Sequence, residues 1–350
     1  MPKKKKIQLL DKVSLSFITT VIIVAGVAFA GYVYYGKKIP AINAPEATNL
    51  AGLSEESSEL PFSLLMPNEF AVSILSPDRK MERLTFLEFN DKYKDESLPI
   101  YGVLAANGET RYLHLPIDAT ATASWYIAPD GMSSAWLDSP AKDEASIIEV
   151  KKGQAKEEKI VLRTSKNKPI KDAMLLGWFD EKTIVVVASV DQVKSVYAVN
   201  LNGVVRQVKE LPENIIFYVV KSGYFWFATG TLGEGLESSP TGPSELYRVS
   251  SNGVFDLVAR DEKNVFISMT ADSSGNLGAT MSDGNSFVMR IGSDGSRIDI
   301  GKRRPLLFTD NDKLIVRDGF DLLLMDCTSG DMSKIVSLPE GSVEIFVLNK

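Results

Sequence analysis

The stretch VYAVNLNGVVRQ, residues 196–207, has the composition of a small β-hairpin, and the chain repeats the pattern as LYRVSSNGVFDL, residues 246–257. In both copies two apolar runs flank an Asn-Gly pair, which supplies the positive backbone φ that a tight hairpin turn requires. Two such similar hairpins in one chain predict a repeat protein that is built from β-strands.

The turn glycine of this hairpin recurs along the chain at Gly108, Gly153, Gly203, Gly253, Gly295 and Gly330. Most of these turns have an apolar residue six positions earlier, namely Ile147, Tyr197, Tyr247, Met289 and Leu324. A second series of turns alternates with the first, with the sequences APDGM, FDEKT, VKSGY, DSSGN and TDNDK. Two hairpins per repeat make a four-stranded unit, and such units bury both faces only by stacking on their neighbours.

Phrases such as WYIAPDGMSSAWL and VYAVNLNGVVRQV resemble the blades of extracytoplasmic β-propellers of the TolB-like and PQQ-like kinds. The resemblance covers about residues 66–350 and implies an all-β propeller architecture. It carries no activity with it, because no regular Trp-Asp dipeptide, kelch double glycine or tryptophan docking motif is present.

The spacing of the turns favours six blades, with seven as the close alternative and a pair of β-sandwiches as a distant one. The first blade is predicted over residues 69–120, with FAVSILS, RLTFLEF, IYGVLAA and TRYLHLP as its strands, and five more follow to about Pro339. The C-terminal SVEIFVLNK, residues 342–350, resembles the first strand of a further blade. We expect it to pair with N-terminal strands through PFSLLM, residues 61–66, because closing the ring removes exposed strand edges.

An uncharged run, VSLSFITTVIIVAGVAFAGYVYY at residues 13–35, is long enough to cross the ~30 Å core of a bilayer as a transmembrane helix. Five lysines precede it and two follow, so we expect residues 1–12 to stay in the cytoplasm and the rest to be exported. A cleaved signal peptide is the alternative, since AFA at 28–30 suits signal peptidase, but the length of the run favours a retained anchor. Residues 36–61 predict a flexible linker and residues 62–350 the propeller domain.

Charge and composition limit the possible partners. Residues 39–350 hold 32 basic and 44 acidic residues, a net charge of −12, which repels nucleic acid and anionic lipid. Cys327 is the only cysteine, so no internal disulfide forms, and no Asn is followed two positions later by Ser or Thr. Both features fit a prokaryotic cell envelope.

Candidate catalytic and metal-binding residues are few. His114 is the only histidine, and in RYLHLP it alternates with Leu113 and Leu115, as a structural residue of a strand does. DNDK at 310–313 and DSSGN at 272–276 offer clustered oxygens for calcium, but neither matches the twelve-residue calcium loop, and Asp and Asn also favour turns for backbone reasons. We therefore predict no catalytic residue, no metal and no cofactor.

An insertion at residues 229–244, rich in Gly, Ser, Pro and Thr, interrupts an otherwise regular unit. Loops on rigid scaffolds often carry binding residues, whereas a tolerated insertion without function is the alternative. The candidate partner-binding residues in this loop are Gly233, Glu234, Glu237, Pro240 and Pro243. The neighbouring aromatic run YFWFA, residues 224–228, is predicted to be core between blades rather than a ligand platform.

These features favour a non-enzymatic binding or scaffold protein of a prokaryotic envelope, whose partner is another envelope protein or a surface polymer. The alternative is an exported hydrolase or lyase that acts on glycans with two carboxylates in the central channel. Two carboxylates about 5–10 Å apart at the channel mouth favour the enzyme, and an apolar plug disfavours it.

Overall fold

A computed structural model of the chain describes residues 59–95, 98, 100–104, 110–115, 127–138, 144–152, 156–231, 240–291, 297–309, 312–338 and 345–348. These residues form 25 β-strands and one α-helix. The predicted anchor at residues 13–35 lies outside them, and so does most of the linker. Within the described ranges no helix is long and apolar enough to cross a membrane.

The elements before residue 170 are β1 (Ser63–Pro67), β2 (Ala71–Leu75), β3 (Met81–Thr85), α1 (Phe86–Lys92), β4 (Ile100–Leu104), β5 (Thr110–His114), β6 (Ser133–Asp138), β7 (Ile147–Lys152) and β8 (Glu158–Val161). The next eight are β9 (Met174–Asp180), β10 (Thr183–Val190), β11 (Val193–Asn200), β12 (Val205–Glu210), β13 (Ile215–Lys221), β14 (Tyr224–Thr229), β15 (Ser244–Ser250) and β16 (Phe255–Asp261). The last nine are β17 (Phe266–Ala271), β18 (Asn276–Met281), β19 (Ser286–Arg290), β20 (Arg297–Gly301), β21 (Arg304–Thr309), β22 (Lys313–Asp318), β23 (Asp321–Asp326), β24 (Met332–Ser337) and β25 (Phe346–Leu348).

The strands are grouped in antiparallel sheets that form the blades of a propeller. Blades 3, 4, 5 and 6 are β9–β12, β13–β16, β17–β20 and β21–β24, and blade 1 is β25 with β1–β3. Blade 2 is β6–β8, and Ile127 joins it through an isolated bridge to Ser134. The first strands of blades 3 to 6, namely β9, β13, β17 and β21, contact one another in turn around the axis; we call these strands, with β25 of blade 1, the inner strands. The described residues thus form a six-bladed β-propeller, which confirms the predicted all-β fold and the favoured blade number.

The C-terminal strand closes the ring as predicted. β25 pairs antiparallel with β1, and it places Val347 opposite Leu64 and Phe346 opposite Leu65. Phe346 and Val347 are buried, so this strand serves as the inner strand of blade 1. The first and last strands of the described chain therefore share one sheet, and the pairing leaves no open edge on the inner side of β1.

Six clusters of buried apolar residues hold the described blades together, one at each junction between neighbours. Between blades 3 and 4, for example, Leu176 and Phe179 pack with Phe225 and Phe227. Phe225, Trp226 and Phe227 are almost fully buried. The prediction that YFWFA is core between blades is therefore confirmed.

The prediction for the first blade is wrong in part. RLTFLEF is not one strand, because β3 ends at Thr85 and a short helix follows. Thr85 and Glu88 form a capping box: the Glu88 N–H donates to the Thr85 hydroxyl at 3.2 Å, and the Thr85 N–H donates to the Glu88 carboxylate at 2.8 Å. Within IYGVLAA and TRYLHLP, Ile100–Leu104 and Thr110–His114 form the separate hairpin β4–β5, and α1 and this hairpin pack Phe89 and Leu113 between blade 1 and Ile127.

The two copies of the opening phrase form equivalent hairpins, β11–β12 and β15–β16. Gly203 and Gly253 have φ angles of +81° and +88°, and their N–H groups donate to the carbonyls of Asn200 and Ser250 at 2.9 Å. Each turn is therefore a four-residue turn that ends on a left-handed glycine, so the required positive φ falls on the glycine. Of the other predicted turn glycines, Gly330 has a φ of +81°, and Gly108, Gly153 and Gly295 lie outside the described residues.

The propeller has two faces that differ in their connections. One side carries the connections between the second and third strands of each blade and the connections between successive blades; we call this side the loop face. The turn face, on the opposite side, carries the remaining hairpins. The chain enters at the turn face, where the Leu60 N–H donates to the Pro77 carbonyl at 2.8 Å between β2 and β3.

Candidate functional site

The predicted insertion leaves the propeller between β14 and β15, on the loop face. At its base Thr231 and Thr241 each donate a backbone N–H to the carbonyl of the other, both at 2.9 Å. Pro240 and Pro243 flank this short pairing, and a cis peptide bond joins Gly242 to Pro243. The other three candidates, Gly233, Glu234 and Glu237, lie outside the described residues, so their role stays a prediction.

Residues that directly precede two inner strands hold the base of the insertion in place. The Gly230 N–H donates to the Asn214 carbonyl at 3.0 Å, and the Gly242 N–H donates to the Lys263 carbonyl at 3.1 Å. Asn214 directly precedes β13 and Lys263 lies just before β17, the inner strands of blades 4 and 5. A Cβ at position 242 would lie 2.6 Å from the carbonyl carbon of Lys263, so the approach requires glycine. The insertion therefore starts beside the central axis.

A buried hydroxyl fixes the last residue of the insertion, Ser244. The Ser244 hydroxyl donates to the Thr229 carbonyl at 2.6 Å and accepts the Phe266 N–H at 3.3 Å. Ser244 begins β15 and Phe266 begins β17, so one side chain joins blade 4 to blade 5. Buried polar groups that are fully hydrogen-bonded favour a single arrangement of the residues around them. The base of the insertion is therefore held rigidly by the propeller.

Four inner strands share a feature near the loop face that the sequence analysis missed. In each of them one aliphatic residue is bulged out of the pairing, namely Leu176, Ile216, Ile267 and Leu306. A bulge changes the direction of a side chain, and Ile267 is left 50% exposed next to the base of the insertion. The signal in the sequence is an aliphatic residue two positions before Trp178, Tyr218, Met269 or Phe308.

The inner strands offer little acid–base chemistry. Among β9, β13, β17, β21 and β25, only Asp180 carries a carboxyl group, and it accepts the Lys182 N–H at 2.9 Å on the turn face. In the part of the chain that the structure describes, no three His, Cys, Asp or Glu side chains are grouped as metal ligands. A pair of carboxylates for glycan cleavage therefore has to come from the connecting loops.

The structure brings together the two turns that were considered for calcium. The Asn276 side-chain amide donates to Asp272 at 2.7 Å and to Asp312 at 2.8 Å, and so it links blade 5 to blade 6 on the turn face. An amide between two carboxylates satisfies them as hydrogen-bond acceptors. Burial raises the pKa of the nearby Cys327 thiol to about 12, with further contributions from the charges of Asp272 and Asp312. A protonated thiol is neither a nucleophile nor a good metal ligand.

His114 is the last residue of β5, as the alternating pattern predicted. Its backbone N–H donates to the Asn90 side chain at 3.2 Å. The ring Nδ1 is buried and has no hydrogen-bond partner among the described residues. No described carboxylate orients this ring as a catalytic base requires.

Lys221 was also missed, because a single lysine at a hairpin end is an ordinary turn residue in sequence. It ends the inner strand β13, and its carbonyl accepts the Trp226 indole N–H at 3.1 Å. Burial lowers the pKa of its ammonium group to about 8. Within the described residues the ammonium group has no anionic partner, so an unpaired cation lies at the end of this inner strand, near the turn face.

No family model matches the chain, and no curated protein matches it. Among solved structures, TolB from Acinetobacter baumannii is similar with 13% identity and a TM-score of 0.43, over 83% of this chain and 66% of that one. Apo AztD from Citrobacter koseri is similar with 11% identity and a TM-score of 0.42, over 83% of this chain and 98% of that one. Oligogalacturonate lyase from Vibrio parahaemolyticus is similar with 10% identity and a TM-score of 0.44, over 69% of this chain and 73% of that one. At these values the similarities assign no activity or partner to this chain, and the resemblance to TolB-like propellers is one of architecture.

Proposed function

We propose that the protein is a non-enzymatic binding component of a prokaryotic cell envelope. The observation that carries this proposal is a group of exposed apolar side chains on the loop face. Phe70, Leu87 and Phe320 are the most exposed large apolar residues of the described chain, at 65%, 73% and 75%. Phe70 and Phe320 lie in equivalent turns of the neighbouring blades 1 and 6, and Leu87 lies on α1, directly after blade 1. Exposed apolar groups of this kind mark interaction surfaces.

The residues directly before β1 lie at the turn face, since Leu60 is buried there, whereas Phe70 and Phe320 lie on the loop face. We therefore place the proposed partner, an envelope protein or a surface polymer, on the loop face.

The experiment is affinity purification of the full-length protein from membranes after mild crosslinking. The wild type is expected to recover one partner reproducibly and in stoichiometric amount. Replacing Phe70, Leu87 and Phe320 by Ser should abolish this recovery, because the three side chains are exposed and their loss leaves the core intact. The matched control replaces the exposed turn-face residues Met81, Val204 and Val254 by Ser and should recover the partner normally. Recovery of no reproducible partner by the wild type would overturn the proposal.

The location is tested separately, by carbonate washing of membranes. If residues 13–35 are a retained anchor, the protein stays in the membrane fraction, because a transmembrane helix is not released by salt or by high pH. Release of a soluble form that begins at Gly31 would establish cleavage instead.

A further inference from the structure

Blade 6 carries an excess of positive charge on the loop face, although the exported part of the chain is acidic. Lys302, Arg303 and Arg304 are the only three consecutive basic residues after position 38. They connect β20 to β21, and Arg304 lies directly opposite Arg317 in the pairing of β21 with β22. Like charges at directly opposed positions destabilise a sheet, so this arrangement needs a reason.

The acidic residues of the same blade form an ion pair with only one of these three cations, Arg303. Asp318 pairs with Arg303 at 3.0 Å. Asp321 pairs with Lys334 at 2.8 Å and accepts the Ser337 hydroxyl at 2.6 Å. Within the described residues, Lys302, Arg304 and Arg317 form no ion pair with a carboxylate.

Arg317 lies near the end of β22, three residues before the exposed Phe320 in the turn that follows. The side chain of Arg317 makes one hydrogen bond in the described chain, from Nε to the Gly319 carbonyl at 2.8 Å, so its terminal nitrogens remain available. Phe320 follows in the same turn, and Phe70 occupies the equivalent turn of blade 1. Arg317 lies opposite Leu322 in the pairing of β22 with β23, and Leu322 packs against blade 1. Arg304 and Arg317 therefore lie on the side of blade 6 that faces blade 1, at the junction where Phe320 and Phe70 are exposed.

We propose that this basic and aromatic edge, formed by Lys302, Arg304, Arg317 and Phe320, binds an acidic segment of a partner protein. The inference rests on the proposed binding function and names the chemistry of the partner. Planar guanidinium groups bind carboxylates through two parallel hydrogen bonds, and apolar residues of the same segment pack on Phe320. A short peptide fits better than a long polyanion, because the net charge of −12 repels extended negative charge beyond the ~8 Å over which the local cations act.

The test is a fluorescence-anisotropy titration of the full-length protein in nanodiscs of zwitterionic lipid. The probe is a labelled peptide of alternating Glu and Leu, and its Gln–Leu counterpart is the control peptide. The wild type should bind the Glu peptide, and higher salt should weaken the binding. The double variant Arg304→Glu and Arg317→Glu should lose about tenfold or more in affinity, because charge-assisted hydrogen bonds are replaced by repulsion.

The matched control is Lys166→Glu with Lys182→Glu, which makes the same charge change at exposed lysines that have no side-chain partner in the described chain. Its affinity should equal that of the wild type. The neutral pair Arg304→Gln and Arg317→Gln should give an intermediate loss, which keeps the test decisive if charge reversal disturbs folding.

Three results would overturn the proposal: equal binding by the Arg304/Arg317 variants and the lysine control, equal binding of the Gln–Leu peptide, or stronger competition by dextran sulfate or inorganic phosphate than by unlabelled Glu peptide. The outcome is independent of the crosslinking experiment. If the wild type captures a partner but does not bind the peptide, the surface is wrong and the proposed function stands. If it binds the peptide but captures no partner, the binding surface stands and the proposed function fails.

Discussion

Lys221 combines partial burial, a charge without an anionic partner among the described residues, and a position at the end of the inner strand β13. An ammonium group that loses hydration without gaining an anion destabilises the folded state, and its pKa falls for the same reason. The folded pKa of about 8 lies below the ordinary value of 10.5. The penalty is therefore fully present below about pH 8 and disappears as the pH rises towards 10.5, so the free energy of unfolding rises over this interval.

Replacing Lys221 by Met tests this reading, since Met keeps the apolar stem and removes the charge. We expect the variant to unfold at pH 7 with a free energy about 1–3 kcal/mol higher than the wild type, and the difference to shrink towards pH 10.5. Urea denaturation at pH 7, 8, 9 and 10 measures both effects. Lys182→Met, at an exposed lysine, should change nothing. A Lys221→Met variant that is less stable at pH 7 would show that the ammonium has a native partner.

Two glycines allow the cost of backbone strain to be distinguished from the cost of a steric clash. Gly223 and Gly284 have φ angles of +76° and +85°, so alanine costs about 1–2 kcal/mol at either position. A Cβ at Gly223 would also lie 2.9 Å from the Phe179 carbonyl of blade 3, whereas a Cβ at Gly284 meets nothing within 4 Å. We expect Gly223→Ala to cost about 1–3 kcal/mol more than Gly284→Ala in urea denaturation. Equal costs would mean that blades 3 and 4 are not in contact at this turn.

At the scale of the elements, the outer strands of blades 3 to 6 repeat one irregularity. Each outer strand has a bulged aliphatic residue, namely Val208, Val258, Ile300 and Ile335. In every case this residue belongs to the apolar cluster shared with the next blade along the chain or, for blade 6, with blade 1. The bulge increases local twist and turns one side chain towards the neighbour, so the same device joins successive blades.

Shortening one of these residues tests its role. Ile335 is 6% exposed between blades 6 and 1, and Ile335→Ala should lower the free energy of unfolding by about 2–4 kcal/mol, through lost burial and the cavity that remains. Leu257→Ala, on the equivalent strand of blade 4, should cost less than about 0.5 kcal/mol, because Leu257 is 53% exposed. Thermal or urea denaturation compares the two. Similar losses in both variants would argue against a special role for the bulge.

The sequence predicted those elements whose signals are local. The turn glycines at Gly203 and Gly253 identified the hairpins, and SVEIFVLNK identified the closing strand. The helix α1 was missed because its capping box, Thr85 with Glu88, covers four residues inside an alternating apolar pattern. The bulges were missed because a bulge is defined by the partner strand, which the sequence of one strand does not contain.

In the candidate site, too, the sequence predicted the features with local signals and missed those that depend on strand pairing. The insertion was found from its composition, and the structure added that Gly230 and Gly242 join its base to residues just before two inner strands. The basic edge on blade 6 was not found, because Arg304 and Arg317 are thirteen positions apart and meet only through strand pairing. Contacts between distant residues are the part of a site that composition and spacing do not give.

The closed ring of blades determines which residues share the loop face. Closure brings blade 6 beside blade 1, and this junction places Phe320 and Phe70 on one face. The closing strand is short, with three residues in β25, yet Phe346 and Val347 are both about 2% exposed. Each buried side chain of this size contributes about 1.5–3 kcal/mol, which is a large part of the 5–15 kcal/mol that stabilises a domain.

The melting temperature of a protein that lacks residues 345–350 tests this closure most directly. The deletion removes β25 and exposes the inner edge of β1, so the melting temperature should fall by about 10 °C or more, or the protein should aggregate. In the control, Asn-Gly replaces residues 232–239 and keeps the pairing of Thr231 with Thr241; this variant should melt close to the intact protein, since loop length affects stability only logarithmically. If the protein without residues 345–350 has the same melting temperature as the intact protein, closure of the ring by β25 is contradicted.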